Sequence, residues 1–248
     1  MDKSVIFIKI ISYIIFIFAL FLKLAQSSDS NLKDANILYD KGKYLESVNL
    51  ASEILSIESY IFRARTLAIY GHFLLDGEEA IQVFKKAKDF AFLALDIDNL
   101  DDNAHVEAAH TMGRYSQLIG IVRALKDGYA EKISFHLDQA IKINPNNVSA
   151  QISKGTWHAE IVDKAGFMAK ILYGATSDQA REHYENALNL DAENIGFLYE
   201  ISYGLWLLDS KKDRVKAKNL LSKVIEAEPK NHLDGLYIEK AKNLIKEL

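Results

Sequence analysis

The sequence predicts an all-α solenoid, with about five helical hairpins stacked in a row and a C-terminal helix capping the stack. Three observations carry this reading. The first is a recurring segment. Residues 135–147 run as an amphipathic helix through Ala140 and Ile141 into a polar turn, and residues 182–194 and 219–231 repeat the pattern. The second is the placement of proline. The chain of 248 residues has two, Pro145 and Pro229. Both fall at the same point of the repeat, just past a helix end, where proline cannot continue the helix. The third is that no stretch alternates polar and apolar residues for long enough to make a strand.

The elements follow in order. Asn31 to Tyr39 begins a helix, and Asp40-Lys41-Gly42-Lys43 turns it. Glycine there supplies the backbone freedom a tight turn needs. Tyr44 to Ser56 is the return helix, with Val48, Ala51, Ile54 and Leu55 on one face. Tyr60 to Leu75 and Glu78 to Ile97 form the next pair, joined by Asp76-Gly77. In the second of them Ala80, Ile81, Phe84, Ala87, Phe90, Ala91 and Ala94 recur at spacings of three and four, one helical face. Asp98 to Asp102 is a polar break that caps the next helix. Asn103 to Leu125 reads as one long helix bent near Gly120, and Tyr129 to Ile143 returns to Pro145. Val148 to Asp163 goes out again. Lys164 to Thr176 does not fit a simple hairpin and reads as an insert holding one short helix. Asp178 to Leu190, Ile195 to Leu208, Lys212 to Ala227 and His232 to Glu247 complete the series.

Ile54, Ala94, Ala140, Ala187 and Val224 hold equivalent positions, at steps of 40, 46, 47 and 37 residues. The small-large-x-apolar ending before a polar turn resembles the tetratricopeptide repeat, whose basic period is about 34 residues. The excess falls in the joints between front and return helices, so the chain is read as a tetratricopeptide array with insertions. That resemblance implies a right-handed α-solenoid over residues 31–248, in which stacking covers each hairpin's open apolar face and the last helix caps the end.

A narrower resemblance lies at residues 100–190. Gly113-Arg114-Tyr115, Gly128-Tyr129 and Phe135 to Ile141 resemble the middle of the regulator-of-microtubule-dynamics branch of these proteins. So do Gly155 to Glu160, Leu172-Tyr173-Gly174 and Ala180 to Leu188. The resemblance implies a relation to its bacterial exported members. It does not carry over the microtubule role of the eukaryotic ones, for which no residue here is a signature.

The first 27 residues stand apart. Lys3 and Lys9 flank a short apolar run, residues 10–22 are apolar except Ser12, and Leu24-Ala25-Gln26-Ser27 offers small residues at a cleavage-site spacing. This is the form of a signal peptide. Counting residues 5–22 together gives the alternative, an uncleaved membrane anchor. The expected location is therefore exported, periplasmic, or membrane-anchored facing the periplasm. The net charge is −4, and removal of three lysines and one aspartate with residues 1–27 takes it to −6. A mildly acidic chain with no basic stripe is not expected to bind nucleic acid. The absence of cysteine excludes disulfides, thiolate metal sites and cysteine nucleophiles.

Three constellations invite chemistry. His105 and His110 with Glu107 between them are five residues apart, against the four of a zincin helix, and sit well apart around a helix. The aspartates at 96, 98 and 101 have the density of a calcium loop, but Leu100 and Asp101 occupy its fifth and sixth positions, where an oxygen ligand and glycine belong. They read as a capping turn. Trp157-His158-Ala159-Glu160 reads as a core tryptophan with Glu160 toward the groove. Asn147-Val148-Ser149 is a formal glycosylation sequon. No metal or cofactor is expected, and no enzymatic activity.

The remaining candidate is the concave groove that the front helices of such arrays line. Counting from the inter-repeat turns places Arg63, Thr66, Tyr70 and Phe73 there from the second unit, His110 and Arg114 from the third, Thr156 and Glu160 from the fourth, and Tyr199, Tyr203 and Trp206 from the fifth. The last three form an aromatic stripe, which on a helix serves either as core or as an anchor for a partner. The expected function is a non-catalytic scaffold that binds a segment of another protein in this groove. The alternative is a ligand-binding accessory subunit of a periplasmic, tripartite-type transport system, in which the inserts narrow the groove. A closed apolar cavity would favour the second and an open groove the first.

Overall fold

A computed structural model describes residues 31–248, so the leader or anchor reading of residues 1–27 lies outside the described residues. Within them the chain is helical throughout, a right-handed α-solenoid. Helix α1 covers 31–40, followed by α2 (Tyr44–Ala51), α3 (Ile57–Leu74), α4 (Gly77–Ile97), α5 (Asp102–Leu118), α6 (Ile121–Lys126) and α7 (Tyr129–Ile143). Then come α8 (Val148–Ala165), α9 (Met168–Tyr173), α10 (Ser177–Leu190), α11 (Ile195–Leu208), α12 (Lys211–Glu226) and α13 (His232–Leu244), which ends in a 3-10 turn, Ile245–Glu247. None of the described helices is long and apolar enough to cross a membrane.

Local chemistry sets the repeat. Every front helix from α3 on opens on a short polar side chain that accepts from a backbone N–H three residues ahead: Ser56 from Ser59, Asp101 from Ala104, Asn147 from Ala150, Asn194 from Phe197 and Asn231 from Asp234. Each such cap contributes about 1 kcal/mol. The aspartates read as a turn act as one, since Asp98 accepts from the Leu100 N–H at 2.8 Å and Asp101 from Ala104 at 2.7 Å. Asn147 is buried, and besides its cap it donates to Asp102 at 2.7 Å. Its sequon is therefore occupied by structure.

Two of the boundaries that differ from expectation have a local reason. The return helix from Tyr44 ends at Ala51, because Ser56 caps the next helix and Ser59 Oγ donates to the Ala51 carbonyl at 2.6 Å. Leu55 is consequently exposed. The long helix from Asn103 stops at Leu118, because Gly120 takes a positive φ of 85° and turns the chain into a separate α6.

Neighbouring helices pack in sequence, α3 on α4, α4 on α5, α5 on α7, α7 on α8, α8 on α10 and α11, and α11 on α12. Alanines make the close approaches, with Ala64, Ala87, Ala108, Ala140, Ala187 and Ala217 fully buried. The largest core lies between α8 and α13, around Tyr184, Ile201, Leu205, Leu221 and Val224. Burying each of its large aliphatic side chains contributes about 1.5–3 kcal/mol.

Helix α13 does more than the expected capping. Its outer face buries Ile238, Ala241 and Leu244 against the last hairpin. Its other face reaches across to the first units. His232 Nδ1 lies 3.1 Å from Tyr44 Oη, with the rings edge to face, and Tyr237 meets Phe73 edge to face at 5.0 Å. Gly42 permits this: a Cβ there would stand 2.6 Å from the His232 ring. The two ends of the array therefore touch, and the groove becomes a chamber.

Candidate functional site

The chamber has a volume of about 540 Å³. Its walls come from α3, α5, α8 and α11, with Tyr39 of α1 and Ile133 and Leu137 of α7, and Leu233 and Tyr237 of α13 partly close it. Apolar surface from Ile69, Phe73, Ile133, Leu137, Ile152 and Phe197 alternates with charged groups.

Two ion pairs link front helices, one between α3 and α5 and one across the chamber from α5 to α11. Arg65 Nε on α3 donates to Glu107 Oε1 on α5 at 2.7 Å. Glu107 is only 2% exposed, whereas Arg65 keeps 46% of its side chain accessible within the chamber. Burial acts to raise the Glu107 pKa, but Arg65 and then His110 outweigh it and hold the carboxyl below its usual range. Arg114 on α5 donates to Glu200 on α11 at 3.3 Å, and the Tyr237 hydroxyl donates to the same oxygen at 3.4 Å. Burial opposes the Arg114 charge, yet Glu200, Tyr237 and Glu160 together push its pKa up. A third carboxylate, Glu160, accepts from Gln117 at 2.8 Å and pairs with Lys164 at 3.1 Å. His72 stays neutral, its pKa lowered by burial and then by Arg114 and Lys240.

Glu107, His110 and Ser153 stand in a row, with His110 Nε2 2.5 Å from Ser153 Oγ and His110 Nδ1 3.7 Å from Glu107 Oε2, too far for a hydrogen bond. The order matches a nucleophile, base and orienting acid. The serine is nevertheless placed for structure. Its hydroxyl also donates back to the Ser149 carbonyl at 2.7 Å, and it sits inside α8, where neighbouring backbone N–H groups are committed to the helix. No backbone donor is left beside it to stabilise an oxyanion, the term on which such catalysis depends most.

Six of the eleven expected groove residues meet in the chamber: Phe73, His110, Arg114, Thr156, Glu160 and Tyr203. The other five lie elsewhere. Arg63 lies over the Phe90 ring, 3.7 Å from its centroid. Tyr70 is half-buried and outside the chamber lining, and Thr66 is fully buried. Tyr199 is buried against Tyr237, and Trp206 packs on the core beside Tyr203. The stripe is thus core at Tyr199 and Trp206 and chamber wall at Tyr203. In the second unit the error is one of phase. Because α3 starts at Ile57, three residues before the expected Tyr60, the inward face is Arg65, Ile69 and His72.

Glu107, Glu200 and Tyr237 line the chamber but are not among the expected groove residues. The first two had a signal. Glu107 lies three residues before His110, and Glu200 three before Tyr203, each on the same helical face as an expected groove residue. The remaining histidines do not converge on the chamber. His105 contacts His136 Nδ1 at 2.8 Å and the Asn99 carbonyl at 3.1 Å, away from His110. Among the described residues no three His, Asp or Glu side chains are grouped to hold a metal ion.

The family model described as Regulator of microtubule dynamics protein 1-3 matches residues 31–248. The chain belongs to that family. The match spans the whole described array, including the α6 and α9 inserts and α13. Among solved structures, the thermophilic TPR protein TTC0263 of Thermus thermophilus is similar in fold, at 15% identity and a TM-score of 0.62, covering 88% of this chain and 100% of its own. The MamA protein matches at 15% identity and a TM-score of 0.44, over 82% of this chain and 97% of that one. YrrB, a TPR protein with an unusual peptide-binding site, matches at 15% identity and 0.40, over 90% and 97%. At TM-scores below 0.5 the last two likenesses support nothing further. No curated protein matches the chain.

Proposed function

We propose that this protein is a non-catalytic interaction scaffold that takes a segment of another protein into its chamber. The observation that supports this is the alternation of paired charges and apolar walls on one concave face. The Arg65–Glu107 and Arg114–Glu200 pairs offer donors and acceptors side by side, with little net charge between them. Such a surface suits a chain that carries its own amides and mixed side chains, and suits a polyanion poorly. The groups are held before any partner arrives, which lowers the entropy lost on binding. Tyr203 and Arg114 are the expected anchors, since Tyr and Arg dominate such contacts. In this reading residues 1–27 place the array outside the cytoplasm, as an exported protein or as one held at the membrane through residues 5–22. The microtubule activity in the family's name forms no part of it.

A second reading has one observation in its favour. Closure by α13 gives about 540 Å³, within the range of pockets that take small molecules. A ligand-binding accessory subunit of a periplasmic, tripartite-type transport system would use the chamber that way.

The test is in-cell cross-linking and capture with wild type and an Arg114→Ala/Tyr203→Ala variant, the variant first shown to be folded by circular dichroism. The scaffold reading expects a discrete polypeptide captured by wild type and lost in the variant. Identical captures from both would overturn it. Native mass spectrometry of the purified protein distinguishes the second reading, which expects a bound small molecule of constant mass.

A further inference from the structure

The inserted helices α6 and α9 both lie between a front and a return helix. Contacts run in register from α5 to α8 (Asp102–Asn147, His110–Ser153, Gln117–Glu160), while Asp102 at the start of α5 meets Asn144 at the end of α7. So α5 and α8 run parallel, α7 runs back between them, and the inserts emerge at the same edge of the array. Other units of this array turn there through only a few residues, such as Leu75-Asp76 and Asp209-Ser210. The inserts share a composition. The sequences Ile-Val-Arg-Ala-Leu-Lys and Met-Ala-Lys-Ile-Leu-Tyr contain no acidic residue, although the chain as a whole is acidic.

Large apolar side chains on and beside them face outward. Phe167 is 83% exposed, Val122 79%, Ile171 70% and Leu172 60%, with Leu118 and Leu125 also exposed. Ala169 alone of α9 is buried, pinned on Trp157, Leu137 and Ala109, so the insert is a fixed feature of the fold. Its C-terminal end is tied too: the Ala175 N–H donates to the Ala169 carbonyl at 3.2 Å. Basic side chains flank the apolar ones. Arg123 is paired with Asp127 and Lys164 with Glu160, while Lys126 and Lys170 have no ion-pair partner among the described residues.

We infer that this edge docks on the surface of an anionic lipid bilayer. Short, acid-free segments with outward aromatic and aliphatic tips and long basic side chains beside them enter the headgroup region, where the tips leave water and the lysines meet lipid phosphates. The contact is separate from the chamber and from the start of α1. Asn31 donates to Glu53 at 2.9 Å, which puts the start of α1 at the opposite edge, beside the turns that precede the front helices.

The chain has no cysteine, which makes the test direct. Full-length Phe167→Cys, Val122→Cys and, at the opposite edge, Asn146→Cys proteins are labelled with an environment-sensitive fluorophore. Each is titrated with vesicles of phosphatidylcholine alone and with 30% phosphatidylserine, about the mixture of an anionic membrane. The expected result is a blue-shifted, brighter signal at 167 and 122 with the anionic vesicles only. In a Lys126→Glu/Lys170→Glu background that partition weakens at least about tenfold. Silent labels at 167 and 122 overturn the inference. So does a response insensitive to the charge reversal. A change that appears without vesicles and grows with protein concentration also overturns it, assigning the edge to a second copy of the chain.

Discussion

Two glycines in the middle of helices should respond in opposite directions to the same substitution. Gly155 on α8 lies against Tyr184 of α10, a fully buried residue, and a Cβ at 155 would stand 2.5 Å from Tyr184 Cε1 and 2.8 Å from Cδ1. The ring cannot retreat, because its far side is pressed against Gly204 of α11. Gly155→Ala must therefore part α8 from α10. Overpacking of this kind costs about 3 kcal/mol, and the better helix propensity of alanine returns about 1, leaving a net loss near 2 kcal/mol. For a domain of this size that lowers Tm by about 4–8 °C. Gly113 on α5 is the control, since a Cβ there meets nothing within 4 Å. Gly113→Ala should keep the propensity gain and raise Tm by about 2–4 °C. Thermal melts followed by circular dichroism measure both. If the two variants shift in the same direction, the packing of Tyr184 between α8 and α11 is wrong.

Three further outcomes follow from the same structure. Arg65→Met should destabilise by about 2–3 kcal/mol in urea denaturation, because it leaves the buried Glu107 unpaired, the figure being reduced from that of a fully buried pair for Arg65's exposure; Arg65→Met/Glu107→Leu should recover most of it, and a double mutant no better than the single would contradict the pairing. His158 is buried with neither ring nitrogen hydrogen-bonded, and burial, then Lys154 and His183, lower its pKa to about 4. Folding therefore favours the neutral ring: stability is at its full level above about pH 6.5 and falls as pH drops toward 4, and His158→Phe should flatten that part of the stability–pH curve. Trp157→Phe removes the Nε1–H donation to the Ala130 carbonyl at 2.9 Å and should cost about 1 kcal/mol by chemical denaturation, without changing α-helical content.

Much of the fold was legible because the signals are local. Pro145 and Pro229 mark helix ends, and Asn147, Asn194 and Asn231 mark the starts that follow a few residues later. The run of alanines and phenylalanines at spacings of three and four through 80–94 names its own buried face. The site was less legible because its residues depend on helix phase. Ser56, an ordinary polar residue in the sequence, starts α3 three residues early and exchanges Arg63 for Arg65 on the inner face. Closure was not legible at all. It depends on the accumulated rotation of the whole array, which brings His232 to Tyr44 across 188 residues, and nothing near either residue announces the other.

The central claim is that the inner face of the closed array is where the protein meets its partner. The measurement that tests it most directly is site-specific photo-cross-linking in cells that make the protein, with the photoreactive residue at Phe197 on the chamber wall or at Glu185, exposed on return helix α10. The account expects a discrete cross-linked polypeptide from position 197, absent from 185 and lost when Arg114→Ala is added. Cross-links of equal yield from both positions, or from 185 alone, would contradict it.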